Sequence, residues 1–417
     1  MSAIYDTKQR SPADFNYGRD LQTLSKNYTK GDVIEVKIEK IVPRGLGLAF
    51  AEKLTVLVPL AAPGDVVSVK IRDLKKRMAF ADIVEIQQAG PHRIAPPCPY
   101  YGVCGGCDFQ HLSYEAQLEA KSGIIRDCLH RIGKIEYDGE IPVIASPQQF
   151  EYRSRARWHV DREKQKIGYF ARDSHVVIDI STCPILTPGM QSTLDHLRTS
   201  IEWDMFWSES PEIEAVSGED GSISTYSREL PEPAAEISID IAGETYAYTA
   251  ETFFQANRFL IEQLIATAIG GASGGTAFDL YCGVGLFALP LARYFKKVIG
   301  VEENSVSIAL AQKNAKTAGL QNLDLLNKSV EYFLQNNKTK TIDFCLIDPP
   351  RSGTAKSVIP RLAELRPQHL SYVSCEPSIL ARDLRILIDA GYEINSITAI
   401  DLFPQTHHVE TVVHLSI

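Results

Sequence analysis

Short strand-like apolar runs alternate with helical patterns from about residue 250 onward, and this alternation constrains the fold more than any other feature. Strands are predicted at 276–281, 297–301, 343–347, 369–374, 393–400 and 410–417. Helices are predicted at 286–294, 305–318, 356–365 and 378–390, and two of them end at Gly319 and Gly391. This order predicts an open, doubly wound α/β sheet, in which ligands bind at the carboxyl ends of the strands.

A glycine turn follows the first of these strands, in the segment Asp279-Leu280-Tyr281-Cys282-Gly283-Val284-Gly285. Glycines at such a turn let the backbone approach a ligand closely. Glu302 ends the next strand, where a carboxylate can accept ribose hydroxyl groups. Leu286-Phe287-Ala288 replaces the third glycine of a dinucleotide site, which disfavours NAD and favours S-adenosylmethionine. An ordinary tight turn is the alternative.

Three further polar side chains fall at strand ends of the same sheet. Asp348 opens the segment Asp348-Pro349-Pro350-Arg351 after the strand 343–347, and Cys375 follows the strand 369–374. A thiol at that position is a candidate nucleophile, although a buried cysteine is more often a small apolar residue. Glu410 begins the last predicted strand and is a candidate proton acceptor, with a surface glutamate as the alternative.

Four cysteines form a candidate metal site. Cys98, Cys104 and Cys107 lie within ten residues of one another, and Cys183 is the candidate fourth ligand. Four thiolates suit either zinc or an iron–sulfur cluster, and the spacing alone leaves the metal open. His407 and His408 are further candidate ligands without an evident third partner.

Two segments before the sheet are candidates for RNA contact. Residues 1–27 are predicted to be a leader, and 28–90 a small β-barrel with a basic turn at Arg72, Lys75, Lys76 and Arg77. In the central segment, 91–250, arginines and aromatic residues share a predicted strand region: Arg153, Arg155, Arg157, Trp158, His159, Lys164, Lys166 and Tyr169. For both segments the alternative is a solvent-facing structural surface.

The charge distribution does not exclude an RNA partner. The net charge is −9, but residues 201–250 alone carry −11, so the remainder is slightly positive. No apolar stretch is long enough to span a membrane, and the first residues lack a signal-peptide pattern. We therefore expect a cytoplasmic protein without a membrane association, and no obligate protein partner is evident.

These motifs together resemble the RNA uracil-5-methyltransferase family, whose bacterial members make 5-methyluridine in ribosomal and transfer RNA. The resemblance implies a Rossmann-like methyltransferase domain at 251–417, a TRAM barrel at 28–90 and a central iron–sulfur domain at 91–250. It implies that Cys375 is the nucleophile and Glu410 the general base. It implies S-adenosylmethionine contacts from Gln255 of the motif Phe253-Phe254-Gln255-Ala256-Asn257 and from Tyr281, Gly283, Gly285, Glu302 and Asp348. It implies [4Fe–4S] ligation by Cys98, Cys104, Cys107 and Cys183.

The chain departs from the family pattern at two positions. Leu286 stands where the family commonly has Asn, and Glu376 stands where it commonly has Asn after the nucleophile. A carboxylate beside Cys375 is expected to raise the thiol pKa.

We expect methylation of 23S rRNA, with transfer RNA as the second candidate. The rivals are a non-catalytic RNA-binding protein with a vestigial fold and a zinc-bearing base methyltransferase of another specificity.

Overall fold

The computed structural model describes residues 28–230 and 232–417, and the predicted leader lies outside this range. The chain divides into two compact units. The first contains the described part of Met1–Ala95 together with His111–Ser113, and the second contains Pro96–Gln110 and Tyr114–Ile417. Among the described residues, no helix is both long enough and apolar enough to cross a membrane.

The first unit is built on a six-stranded sheet, in the segment predicted to be a small β-barrel. Its strands are β1 (Val33–Lys37), β2 (Lys40–Val42), β3 (Leu46–Ala51), β4 (Leu54–Pro59), β5 (Val66–Lys75) and β6 (Met78–Gln88), ordered β1-β5-β6-β4-β3-β2. Period-two alternation places Val36 and Ile38 in the core while Glu35 and Lys37 face solvent. The predicted basic turn is the β5–β6 hairpin.

The central segment contains a helix, an antiparallel sheet and a separate hairpin. Its elements are α1 (Tyr114–Cys128), β7 (Val143–Ile144), β8 (Arg155–Asp161), β9 (Lys166–Phe170), β10 (Val177–Asp179), α2 (Pro188–Ser200), β11 (Glu212–Ser217), β12 (Ile223–Tyr226), β13 (Ile237–Ile241) and β14 (Glu244–Tyr248). The sheet is ordered β10-β9-β8-β11-β12, and β13 pairs with β14. Thr187 caps α2 through its side chain, and Pro188 occupies the first turn, where no backbone N–H is needed.

The remaining residues form the predicted doubly wound sheet. Its elements are α3 (Ile261–Ile269), β15 (Gly274–Leu280), α4 (Ala288–Tyr294), β16 (Phe295–Glu302), α5 (Ser305–Thr317), β17 (Leu323–Asn327), α6 (Val330–Asn336), β18 (Phe344–Ile347), α7 (Val358–Leu365), β19 (His369–Ser374), α8 (Pro377–Asp389), β20 (Glu393–Ile400) and β21 (Glu410–Ser416). The strand order is β17-β16-β15-β18-β19-β21-β20-β7.

The direction of the last strands positions the site. Strands β15 to β19 run parallel to their neighbours, whereas β21 lies antiparallel between β19 and β20. The carboxyl end of β19 therefore meets the amino end of β21. Strand β7 comes from the central segment and pairs in parallel with β20, so this part of the chain completes the sheet edge.

Candidate functional site

The glycine turn after β15 forms the first half of the site. Gly283 and Gly285 adopt φ of 53° and 94°, a region that glycine enters without a Cβ penalty. A Cβ built at Gly283 would meet no heavy atom within 4 Å, which leaves the turn open on one side. Tyr281 has a φ of 68°. The predicted close approach of backbone to a ligand therefore has the conformation it requires.

Glu302 stands beside this turn at the end of β16. Its Oε2 accepts a hydrogen bond from the Gly283 N–H at 3.1 Å, and its Oε1 accepts one from the Asn304 N–H at 2.7 Å. These bonds hold the carboxylate against the glycine turn. The sequence placed both features correctly at adjacent strand ends.

Gln255 is buried, with 4% of its surface exposed, and its Oε1 has no hydrogen-bond partner among the described residues. Its neighbour Phe254 packs in the same hydrophobic core as Val284, Leu286 and Phe287 of the turn. A buried amide oxygen without a partner is costly, so it indicates that a ligand group completes the site.

Strand register brings Cys375 and Glu410 together. In the antiparallel β19–β21 pair, Ser374 lies opposite Thr411, so the next positions, Cys375 and Glu410, are also neighbours. Glu410 is 3% exposed, and its Oε1 has no hydrogen-bond partner among residues 28–230 and 232–417. Asp348, which follows β18, is close enough to raise the pKa of both groups.

The electrostatics of this group are those of a buried acid–base site. Burial raises the pKa of Cys375 to about 12, and the Glu410 and Asp348 carboxylates add to that shift. Burial also raises the pKa of Glu410 well above its usual range, and Asp348 raises it further. The pKa of Asp348 is itself raised by burial. A carboxylate with a raised pKa is a stronger base when it is ionised.

Arg351 is a site residue that the sequence reasoning quoted but did not assign. Its guanidinium lies within hydrogen-bonding reach of the Cys375 thiol and lowers the thiol pKa, and it also lowers that of Glu410. The guanidinium carbon lies 5.7 Å from the centre of the Phe403 ring. Its position three residues after Asp348, in the same proline-stiffened loop, is the signal that would have found it.

The two departures from the family pattern have structural explanations. Glu376 is the N-cap of α8, and its carboxylate accepts hydrogen bonds from the Ser378 N–H at 3.3 Å and hydroxyl at 2.6 Å. The carboxylates that raise the Cys375 pKa after burial are Glu410 and Asp348, which the sequence reasoning did not anticipate. Leu286 is buried in the core, and its carbonyl accepts a hydrogen bond from Tyr246.

The four predicted cysteine ligands line one cavity. Cys98, Cys104, Cys107 and Cys183 surround a space that is partly open to solvent. The Gly106 N–H points to the Cys104 sulfur at 3.4 Å. The structure therefore brings together four cysteines from positions separated by up to 85 residues.

Arg153 and Gln110 also line this cavity. The Arg153 cation is close enough to the Cys183 and Cys104 thiols to lower their pKa values against the raising effect of burial. The Gln110 side chain reaches the Cys107 thiol, and its amide oxygen accepts the Cys98 N–H at 3.2 Å. In the part of the chain that the structure describes, no three His, Cys, Asp or Glu side chains gather closely enough to hold a single metal ion.

Two of the predicted RNA-contacting arginines are neutralised within the sheet. Arg155 pairs with Glu214, and Arg157 pairs with Glu214 at 2.8 Å and Glu212 at 3.6 Å. Trp158 is fully buried and cannot stack on a base. Glu214 lies opposite Arg157 in the β8–β11 register and diagonal to Arg155, so the alternative of a structural strand surface fits these two arginines.

Comparisons with known proteins agree with this geometry. Residues 234–417 match the family model described as tRNA (uracil-5-)-methyltransferase, and residues 28–84 match the TRAM domain. An uncharacterised RNA methyltransferase of Protochlamydia amoebophila is 32% identical, covering 92% of this chain and 97% of its own. The 23S rRNA (uracil(1939)-C(5))-methyltransferase RlmD of Shewanella sediminis is 30% identical, covering 91% and 95%.

A solved structure shares the fold over most of the chain. It is the tRNA (uracil-54, C5)-methyltransferase of Pyrococcus abyssi in complex with S-adenosyl-L-homocysteine. The TM-score is 0.72 with 26% identity, covering 92% of this chain and 100% of that one.

The sheet order and the ligand-facing turn define an α/β methyltransferase fold preceded by a TRAM domain. With relatives this similar over nearly their full length, the chain belongs to the family of S-adenosylmethionine-dependent RNA uracil-5-methyltransferases. RNA is therefore its substrate class.

Proposed function

We propose that this enzyme forms 5-methyluridine in 23S rRNA, with Cys375 as nucleophile and Glu410 as general base. The observation that carries the proposal is the register of β19 and β21, which sets these two side chains beside each other at the ligand-binding end of the sheet. Relatives named as 23S rRNA methyltransferases, with 30% identity over nearly the whole chain, support the ribosomal target.

The residues fit the chemistry that uracil requires. C5 of uracil is a poor nucleophile, and addition of the Cys375 sulfur to C6 pushes an electron pair toward O4 and makes C5 enolate-like. After C5 has gained the methyl group, Glu410 removes its proton. The released pair restores the C5–C6 double bond and expels the sulfur. Arg351 lowers the cost of ionising the thiol, which burial otherwise opposes.

S-adenosylmethionine supplies the methyl group when it is bound. The residues that we propose to hold it are Gln255, Tyr281, Gly283, Gly285, Glu302 and Asp348. The unpartnered Gln255 Oε1 and the open space at Gly283 support this assignment. The target uridine must leave its stack to reach a site at the carboxyl ends of the strands.

We further propose that Cys98, Cys104, Cys107 and Cys183 bind a [4Fe–4S] cluster in a central domain at 91–250, between the TRAM-like domain at 28–90 and the methyltransferase domain at 251–417. A cluster spreads its thiolates around a body of several atoms, whereas zinc draws them to one point. Four sulfurs around a cavity, with the Arg153 cation beside them, suit the cluster. The cluster would stabilise the loops that carry the cysteines.

The test uses purified protein, labelled S-adenosylmethionine and two sets of transcripts, from 23S rRNA and from transfer RNA. We expect methyl incorporation into 23S rRNA, and a covalent bond between Cys375 and the same RNA carrying 5-fluorouridine. Cys375→Ala is the matched control and should show neither. Incorporation into transfer RNA alone would overturn the proposed target. Methylation without any adduct to Cys375 would overturn the mechanism, and no methylation of either set would favour a vestigial site.

A further inference from the structure

The segment between β20 and β21, residues 401–409, delivers Glu410 to the site and has several buried anchors. At its start, the fully buried Lys121 donates to Asp401 and to the Phe403 carbonyl, the latter at 2.9 Å. In its middle, the Gln405 N–H donates to the Gln117 side chain at 3.0 Å. Gln405 has a φ of 68°, so these contacts hold it in a conformation that it does not prefer.

Asp108 is the anchor nearest to the base. Its carboxylate lies 2.6 Å from His407 Nδ1 through Oδ2 and accepts a hydrogen bond from Arg172 at 3.0 Å through Oδ1. Its backbone N–H and that of Phe109 both donate to the Gln405 carbonyl at 3.0 Å. One residue therefore holds the segment at two points, only three and five residues before Glu410.

The contacts continue from His407 to the reacting groups. Its ring lies on that of His408, with centroids 4.2 Å apart, and His408 meets the Phe403 ring edge-on at 6.1 Å. Arg351 stands over that same Phe403 ring and reaches Cys375. The segment is thus in contact with Asp108 on one side and, on the other, with Arg351, which reaches Cys375.

We propose that Asp108 is a positioning residue for proton removal: by fixing His407 and Gln405, it sets the place of Glu410 relative to C5. The inference deepens the proposed function and rests on Glu410 as base. Asp108 also directly follows Cys107, and Arg172 donates to the Cys107 carbonyl at 2.9 Å. The cysteine site and the base are thereby joined through a single residue.

The test separates methyl transfer from proton removal in a single turnover. The RNA carries tritium at uridine C5, and S-adenosylmethionine carries a ¹⁴C methyl group. Wild-type protein should release one tritium for each methyl incorporated. In Asp108→Asn, tritium release should lag behind methyl incorporation by about 10- to 100-fold, because small misplacements of a reacting group have effects of that size. The methylated RNA should accumulate as a covalent protein adduct.

Three controls exclude a merely structural effect. Glu244→Gln removes a buried carboxylate that accepts two hydrogen bonds from Arg293 in another part of the fold. This variant should still release one tritium for each methyl group incorporated. Asp108→Asn combined with His407→Asn should lag no further than Asp108→Asn alone, since both substitutions alter the same side-chain contact and leave the backbone contact with Gln405 in place. Iron and sulfide per chain should be the same in Asp108→Asn and the wild type.

Two outcomes would count against the inference in distinguishable ways. Asp108 does not position the base if Asp108→Asn still releases one tritium for each methyl group incorporated. The same conclusion follows if Asp108→Asn loses tritium release and methyl incorporation equally, together with its iron. If the wild type releases no tritium, or if release survives in Cys375→Ala, the proposed function fails and the inference fails with it.

Discussion

At the scale of single residues, the site pairs a thiol that has a raised pKa with a carboxylate that is a strong base when it is ionised. Burial raises the pKa of Cys375, and Glu410 and Asp348 oppose its ionisation further. The same burial raises the pKa of Glu410, so its ionised form attracts protons strongly. Glu410 and Asp348 both have raised pKa values, and the Arg351 cation lowers the pKa of Glu410 and that of the thiol.

The raised pKa of Glu410 predicts a pH dependence for proton removal. The base must be ionised, so the rate should fall as pH decreases through a value well above the usual glutamate range, rather than near pH 4.5. Single-turnover tritium release from C5-labelled RNA measures it across pH. Glu410→Gln should trap the methylated adduct. Its rate of tritium release should not show this decrease at low pH. A wild-type rate that stays flat down to about pH 5 would contradict the assignment.

Arg351 should act on the nucleophilic step. In Arg351→Ala the thiol pKa rises because its neighbouring cation is lost, and adduct formation with 5-fluorouridine RNA should slow by about 100-fold or more. Arg351→Lys keeps the charge without the planar fork and should retain part of the rate. Raising the pH should recover activity in Arg351→Ala more than in the wild type. Equal adduct rates in all three proteins would rule out this role.

At the scale of elements, the first unit depends on one buried ion pair. Asp65 accepts hydrogen bonds from the N–H groups of Ala62 at 2.6 Å and Gly90 at 2.8 Å, and from Arg93 at 2.6 Å. Burial alone would raise the pKa of Asp65, but these bonds outweigh it and lower the pKa. The pair joins the start of β5 to the segment after β6.

Asp65→Asn should therefore destabilise this unit by about 3 kcal/mol, because it leaves Arg93 without its partner. Since the folded pKa lies below the unfolded one, the wild-type contribution is present above about pH 4 and is lost as pH falls through the folded pKa. Hydrogen exchange of β1 and β5 amides in the whole protein measures the change. Asp73→Asn, in an exposed pair with Lys75, is the control and should cost less than about 0.5 kcal/mol.

The sequence predicted most elements of the catalytic sheet, but not all of them. The strand β19 was predicted with its observed bounds, because its apolar residues stand directly before a turn. The sequence missed α3, β17, α6 and the edge strand β7. These elements have nine, five, seven and two residues, and each is shorter than the window of roughly 11 residues in which a period can be recognised.

The site was predictable where it depends on sequence order and unpredictable where it depends on long-range contacts. Strand ends located Cys375, Asp348 and Glu302, because parallel strands present their ends on one edge. The pairing of Arg155 with Glu214 and the contact of Asp108 with His407 join residues far apart in the chain. No local pattern encodes such contacts, so the sequence offered Arg155 as a candidate RNA contact and His407 as a candidate metal ligand instead.

At the scale of the whole molecule, the four cysteines around the cavity come from loops that are far apart in the sequence of the second unit. Cys183→Ser should lose most iron and sulfide and lower the unfolding temperature, because a bound group stabilises only the folded chain. Cys128→Ser is the matched control: Cys128 is a buried core thiol of α1 and should keep the full iron content. Iron and sulfide analysis with a thermal melt measures both. Full iron content in Cys183→Ser would show that the ligand set is wrong.

The β19–β21 register limits which changes in the sequence of these two strands this enzyme can tolerate. Side chains alternate between the two faces of a strand, so slipping β21 by one position would turn Glu410 away from Cys375 while the sheet stayed fully hydrogen-bonded. Substitutions along these strands need only preserve packing. A single-residue insertion or deletion there would turn the buried side chains of β21 to the opposite face as well, so the packing and the pairing of nucleophile with base should be lost together.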